Sequence, residues 1–411
     1  MNKKFLLILL AVVLSANVFA QSTREANPVI TSMPSLSIAP DARAAGMADV
    51  GVATEADFNS QYWNPAKYAY MYSKGGLTAN YTPWLRKLVG DIDLAYLAGF
   101  YNFGELAGGI GASFTYFSMG DVVLMDLNGS KLQDVRPNEW ALDLSYFRKL
   151  HEYVSMSVAV RFLYSDLNNG VNKAGTEMHP AMTAAADVAV YYRQPFDLPM
   201  GPSNLAIGFT LKNLGGKMSY ADDGSSNFIP TSMNIGASYE LPFDKYNSLT
   251  FNVEANKMLV PTRRSKFTTA ETADNKDLWN ADGTPIDPTN EATWQMGQVP
   301  YSELNPARGW FQSFADAPRG ASEEFEEVRW GVGLEYSYNK QFFARAGYSY
   351  ENFYKGNRNV LTFGAGFHLS IVTLDVSYCV GLAATNPLDQ TMRFTLGFDL
   401  AGIKDLVNNK K

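Results

Sequence analysis

Val328-Arg329-Trp330-Gly331-Val332-Gly333-Leu334-Glu335-Tyr336-Ser337-Tyr338 alternates without a break: a large apolar or aromatic side chain stands at every even position, a charged or small one between. Period two places successive side chains on opposite faces of a strand, so this segment is a strand with one greasy and one polar face. The pattern repeats directly after an Asn339-Lys340 turn, where Phe342, Ala344, Ala346, Tyr348 and Tyr350 alternate with Gln341, Phe343, Arg345, Gly347 and Ser349. It recurs with Leu361, Phe363, Ala365, Phe367 and Leu369, with Val372, Leu374, Val376, Tyr378 and Val380, and with Met392, Phe394, Leu396 and Phe398.

Working outward with the same template, strands are expected near 75–82, 91–103, 106–118, 139–150, 152–165, 182–194, 203–212, 231–241 and 247–258. With the last five they make fourteen, an even number as a single-chain bacterial outer-membrane barrel has, and segments of about ten residues suit a tilted crossing. Tight links such as Phe103-Gly104-Glu105, Leu150-His151-Glu152 and Asn339-Lys340 alternate with long ones at 119–138, 166–181, 213–230 and 259–326. Short turns belong to the periplasmic side and long loops to the outside, which predicts both termini in the periplasm. The polar face carries Asp93, Asp143, Arg161, Asp187, Arg193, Lys212, Glu240, Glu254, Arg329, Glu335, Arg345, Asp375 and Arg393. On the opposite face Trp140, Trp330, Tyr336, Tyr338, Tyr348, Tyr350 and Tyr378 sit toward strand ends, as interfacial girdles do, and this separates a membrane barrel from a soluble sandwich. The fold class is therefore all-β: a transmembrane antiparallel β-barrel of 14 strands spanning residues 74–400, with a periplasmic tail at 401–411.

The N-terminus supports export. Lys3 and Lys4 precede an apolar run from Phe5 to Leu14, and Val18-Phe19-Ala20 offers small residues for a signal peptidase, so residues 1–20 read as a removable leader and Gln21 as the mature start. The run is half of what a spanning helix needs. No cysteine follows the cut, so lipid attachment is not expected. The chain of 411 residues is 46% hydrophobic and 13% aromatic, yet its mean hydropathy is only -0.16; strands that show apolar groups to lipid and polar ones to a lumen dilute the average in this way. A single cysteine, Cys379, excludes an internal disulfide framework. The net charge of -7 argues against nucleic acid and suits an outer-membrane lipid environment.

Residues 21–73 do not alternate and contain Pro28, Pro34, Pro40 and Pro65, so they are expected inside the barrel as a hatch rather than in its wall. The run Asp41-Ala42-Arg43-Ala44-Ala45-Gly46-Met47-Ala48-Asp49-Val50-Gly51-Val52-Ala53 with Tyr62-Trp63-Asn64-Pro65-Ala66 resembles the N-terminal hatch of the FadL family of fourteen-stranded outer-membrane barrels, in which an Asn-Pro-Ala motif (here Asn64, Pro65, Ala66) is characteristic.

The long insertion 259–326 is rich in proline and carries Trp279, Trp294 and Trp310; a loop of this length with this much aromatic surface is expected to cover the extracellular mouth and to bind a partner. Trp310, Phe311, Phe314 and Asp316 are the candidate partner-binding residues. Lys257-Met258-Leu259-Val260-Pro261-Thr262 and the stretch from Gly309 to Gly320 resemble the PorV family, also called LptO, the FadL-like component of the Bacteroidetes type IX secretion system; the sequence departs from that pattern at Arg319, where a second glycine is expected. The resemblance covers the chain from hatch to last strand. It implies a barrel that binds secreted cargo proteins through their type IX C-terminal signal domain and shuttles them from the large translocon barrel to the sortase of the attachment complex at the cell surface. The alternative of a different class is a FadL-like uptake channel for hydrophobic small molecules, which needs a contiguous apolar lumen pocket of a few hundred Å³, whereas cargo shuttling needs none.

Catalysis finds no constellation. His151, His179 and His368 fall in a turn, a loop and a strand without metal-ligand spacing, and no nucleophile elbow or phosphate loop is present. Gly108, Gly109 and Gly111 lie within a strand, where they permit close packing or a bulge. Asp91/Asp93 and Asp222/Asp223 read as strand and turn acids, and Glu323, Glu324, Glu326 and Glu327 as a solvated face. Neither an enzyme, a cofactor nor a metal is expected.

Overall fold

The computed structural model describes residues 28–87, 89–125, 131–167, 178–221, 226–261, 304–317, 320–369, 371–382, 386 and 388–403. The leader at 1–20, the start at Gln21, Asp222/Asp223, Trp279, Trp294, Arg319 and residues 404–411 of the tail lie outside these.

Fourteen strands close into one antiparallel barrel: β1 (Gly75–Pro83), β2 (Asp93–Gly104), β3 (Gly108–Ser118), β6 (Asn138–His151), β7 (Val154–Asp166), β8 (Ala181–Leu198), β9 (Gly201–Gly215), β12 (Ser232–Pro242), β13 (Asn247–Met258), β14 (Val328–Tyr338), β15 (Phe342–Tyr350), β16 (Val360–Leu369), β17 (Val372–Gly381) and β18 (Met392–Asp399). Two short ribbons, β4 (Val122–Met125) with β5 (Lys131–Val135) and β10 (Lys217–Met218) with β11 (Asn227–Phe228), stand in long loops. Each barrel strand pairs with its chain neighbours, and β1 closes on β18 with Gly76 opposite Asp399 and Tyr81 opposite Phe394. Closure leaves no edge, so each wall strand pairs on both sides where lipid offers its backbone no partner. Among the described residues no helix is long and apolar enough to cross a membrane.

The alternation read from Val328 onward holds: Trp330, Val332, Leu334, Tyr336 and Tyr338 are exposed on the outer face, while Glu335 and Ser337 are buried within. Asp143, Arg161, Asp187, Lys212, Glu254, Arg345, Asp375 and Arg393 are buried as well. β2 departs from this pattern. Leu94, Tyr96, Ala98 and Phe100 point inward, and Asp93 lies on the outer face with Tyr81, whose hydroxyl donates to it at 2.7 Å. The strand faces lipid on one side and aromatic hatch residues on the other, so both faces are apolar and its parity cannot be read from hydropathy.

The hatch threads the lumen from end to end. Met33 and Leu36 pack among Ala141, Leu163, Ala181, Met218 and Ile229, and the Ser32 N–H donates to the Phe228 carbonyl at 2.8 Å, all at the long-loop end. Farther on, Phe58 lies against Gly76 and Gly397, and Ser73 bonds Asp399 at the short-turn end. The first described residues thus lie at the extracellular side, although the alternating link lengths predict a periplasmic N-terminus; the terminus itself lies outside the described residues. More than forty residues precede β1, and an extended chain of that length spans a 30 Å barrel with slack, so where β1 starts does not fix where the hatch begins.

Candidate functional site

Two short helices, α1 (Ala42–Ala45) and α2 (Ser60–Trp63), and a 3₁₀ turn at Pro65–Tyr70 form the plug. Asp41 caps α1 by accepting the Ala44 N–H at 2.9 Å and takes the Trp63 indole N–H at 2.6 Å on its other oxygen. Complete burial, with the Asp57 carboxylate adding to it, pushes the Asp41 carboxyl up to about 6. Asn64 is fully buried: its amide donates at 3.1 Å to both the Val52 carbonyl of the hatch and the Val190 carbonyl of β8, and its oxygen accepts the Ala66 N–H at 3.1 Å. Ser155 of β7 donates to the Ala66 carbonyl at 2.7 Å. Asn64, Pro65 and Ala66 therefore join plug to wall, with Pro65 supplying the preset φ and missing N–H suited to a helical first position. Lys67, also buried, donates to the Gly51 carbonyl at 2.8 Å and Thr54 Oγ1 at 3.0 Å, and burial lowers its pKa.

Polar wall residues meet this plug group by group. Arg43 grips Glu335 with two N–H bonds of 3.0 and 2.8 Å and gives two more, each 2.9 Å, to the Glu55 carbonyl and Asp57. Glu335 also accepts from Arg345, and Arg345 reaches Asp375, both at 2.6 Å. Glu254 of β13 accepts the Gly51 and Val52 N–H groups at 2.9 and 3.0 Å. On the other side of the lumen Tyr68 stacks on Phe100 at 4.4 Å and leans on Phe147 at 5.4 Å. Wall glycines make this approach possible: a Cβ on Gly347 would stand 2.4 Å from the Met47 carbonyl carbon, and one on Gly111 would stand 2.3 Å from Gln61 Oε1. Gly111 belongs to the strand glycines expected to permit close packing.

Between plug and extracellular mouth lies a cavity of ≈ 60 Å³, lined mainly by polar and charged groups such as Lys212, Asn234, Glu254, Asn256 and Arg329. A larger vestibule of ≈ 570 Å³ opens at the periplasmic end beneath Arg43, Glu55 and His368. An apolar hollow of ≈ 620 Å³ lies in the wall around Leu77, Leu97, Phe114 and Leu142, whose side chains face lipid.

At the mouth the described ends of the long loop form α3 (Pro306–Gln312) and α4 (Ala321–Glu326). Gly309 of α3 rests on Phe228 and Pro261, and Leu304 joins Phe228 and Val260 in a small core that includes Val29 of the hatch. The expected solvated acidic cluster is otherwise: Glu323 and Glu327 are buried, Lys355 donates to them at 2.6 and 3.0 Å, and Lys257 donates to Glu324 and Glu327 at 2.8 Å each. The basic partners come from the same chain, on β13 and the loop after β15, which clamp α4 to the rim. Of the candidate partner-binding residues Trp310 is half-buried and Asp316 intermediate, while Phe311 and Phe314 are exposed. Phe325 and Phe353, which hydropathy periodicity outside strands could not pick out, are exposed as well: Phe311, Phe325 and Phe353 are 80%, 74% and 65% exposed on segments outside the barrel strands. Among the described residues no group of three or more His, Cys, Asp or Glu is placed to hold a metal.

Compared with known proteins, residues 21–265 match the family model described as "Type IX secretion system protein PorV". No curated protein matches the chain. Among solved structures, the P. putida toluene transporter TodX aligns over 88% of this chain and 98% of its own with 10% identity and a TM-score of 0.50, a likeness of fold. The Ralstonia pickettii toluene transporter TbuX aligns over 87% and 97% with 11% identity and a TM-score of 0.47. A Pseudomonas aeruginosa FadL homologue aligns over 91% and 99% with 10% identity and a TM-score of 0.38.

Proposed function

The chain belongs to the PorV family and is an outer-membrane barrel component of the type IX secretion system, and from that premise we propose that it carries secreted cargo rather than small molecules. In this reading the extracellular rim receives the C-terminal signal domain of a cargo protein delivered by the translocon barrel and passes it to the sortase of the attachment complex. The observation that carries it is the pairing of a filled lumen with an aromatic rim. Phe325 and Phe353 lie exposed on segments held by buried ion pairs, and Phe311 and Phe314 lie exposed on and just after a helix seated on Phe228 and Pro261, as anchor residues on a rigid platform do. The uptake alternative needs an apolar lumen pocket of a few hundred Å³ under the loops, and the cavity in that place is ≈ 60 Å³ and polar. Family and fold are of a kind with transport and secretion proteins, not with enzymes. Export would follow removal of residues 1–20, which the N-terminal mass of protein taken from outer membranes tests.

The test of the rim is the triple substitution Trp310→Ala, Phe311→Ala and Phe314→Ala, read for heat-modifiable barrel folding and for surface delivery of cargo. Lost delivery from a folded barrel is the expected result. Normal delivery with a folded barrel refutes the rim as the cargo contact.

A further inference from the structure

Most charged groups around the extracellular cavity are satisfied within the chain. Glu254 takes two backbone N–H groups, Glu327 takes Lys257 and Lys355, and Glu351 takes Arg358 at 2.7 and 2.8 Å. Asp49 stands 3.9 Å from both Arg329 and Arg393. Lys212 differs. It sits on β9, 9% exposed, facing the cavity, with its ammonium 3.8 Å from the centre of the Tyr62 ring and 5.9 Å from that of Trp63. Among the described residues no carboxylate stands within 4 Å of it and no oxygen accepts from it.

A ring face attracts a cation but accepts none of its N–H bonds, and a buried ammonium without an anion is costly. The cavity in front of it is too small for an apolar ligand and large enough for a few waters or one small oxyanion. Ser232 stands directly opposite Lys212 in the β9–β12 register and lines the same cavity. Its oxygen accepts the Asn234 amide at 3.4 Å, which leaves its own O–H to donate into the space. The neighbouring acids Glu254, Asp143 and Asp187 accept from other donors and, among the described residues, none comes within 4 Å of the ammonium, so its N–H groups face the cavity without an acceptor.

We propose that this cavity is a carboxylate-binding site in which Lys212 supplies the counter-charge and Ser232 a second donor, filled from the extracellular mouth. The carboxylate comes either free, as on a small organic acid, or on a polypeptide that reaches into the mouth. The site does not depend on the cargo reading, because it rests on Lys212 and the plug and not on the rim aromatics.

The experiment follows the ¹³C line width of labelled acetate added to the purified full-length barrel in detergent, at fixed ionic strength. Broadening that scales with protein concentration is expected in the wild type. It should fall to the level of empty micelles in Lys212→Met, which keeps the stem and removes the charge, and in Ser232→Asp, which places a tethered carboxylate opposite Lys212. Lys212→Arg should retain broadening. A short peptide with a free terminal carboxylate is then compared with its amide: displacement of acetate by the free acid at a tenth or less of the competing acetate concentration assigns the site to a polypeptide carboxylate, and equal potency assigns it to small acids. Broadening that is absent in the wild type, or unchanged in Ser232→Asp, overturns the proposal. Ser232→Asp keeps the test decisive should Lys212→Met fail to reach its folded, heat-modifiable form.

Discussion

Replacing Arg43 with Met removes the strongest single tie between plug and wall while keeping the length of the side chain. Arg43 makes four N–H bonds of 2.8–3.0 Å, two of them to Glu335 across the lumen. Glu335 would keep Arg345 at 2.6 Å, so its charge is not stripped bare; Asp57, which is partly exposed, would lose its guanidinium. Breaking a buried pair costs about 3–5 kcal/mol, and the remaining arginine places this case near about 3 kcal/mol. If that energy holds the plug closed, the population with a displaced plug rises roughly 150-fold. A cysteine at Ala45, fully buried on the same short helix, reports it in a Cys379→Ser background through its rate of modification by a soluble maleimide. The rate follows the open population when opening is fast compared with labelling. Arg43→Met should speed labelling by about two orders of magnitude while the barrel keeps its heat-modifiable migration. A change of less than about twofold in a folded barrel would mean that the arginine serves the barrel wall and that packing, led by Tyr68 and the glycine contacts, holds the plug.

Further expectations concern the wall and the hatch. Val376 faces outward midway along β17, so Val376→Arg should cost about 2–4 kcal/mol in urea unfolding from lipid, whereas Ser377→Ala, on the inner face with no hydrogen-bond partner for its hydroxyl among the described residues, should be near neutral; equal effects would reverse the faces. Burial raises the Asp41 carboxyl from 3.8 to about 6, so it is protonated in both states below about 4, ionises first in the unfolded chain, and stability should decline as pH climbs to about 6 and then level off. The decline is about 3 kcal/mol for a shift of this size and should be absent in Asp41→Asn; parallel curves for the two proteins would remove Asp41 as its source.

The barrel was legible because a wall strand obeys a local rule. From Val328 to Tyr338 each residue's face follows from its neighbours, and the fourteen strands expected from that rule are those observed. The rule fails where a strand is greasy on both sides: in β2, Leu94, Tyr96 and Phe100 face the plug and Leu97 and Tyr101 face lipid, so Asp93 was the only marker of parity and it pointed the wrong way. The two loop ribbons escaped notice because strands of two to five residues carry too few alternations to register.

The site was legible only as composition. That residues 21–73 could not form wall was plain from their prolines, and the Asn64-Pro65-Ala66 turn was visible as a turn; that Asn64 bonds Val190, or that Arg43 finds Glu335, depends on contacts across 126 and 292 residues, which alternation does not encode. The acidic run at 323–327 shows the same limit from the other side. Its charges looked solvated because their partners, Lys257 and Lys355, lie on separate elements that only barrel closure brings together. Lys212 is the instructive remainder: its place on the inner face was correctly read, yet among the described residues no carboxylate comes within 4 Å of its ammonium, and its aromatic neighbours Tyr62 and Trp63 come from the plug. In a lumen where the other buried cations on the wall have been given carboxylates, an ammonium left facing a small polar space is better explained by a ligand absent from the chain than by a failure of pairing, because a substitution to serine or threonine would have removed its cost at once.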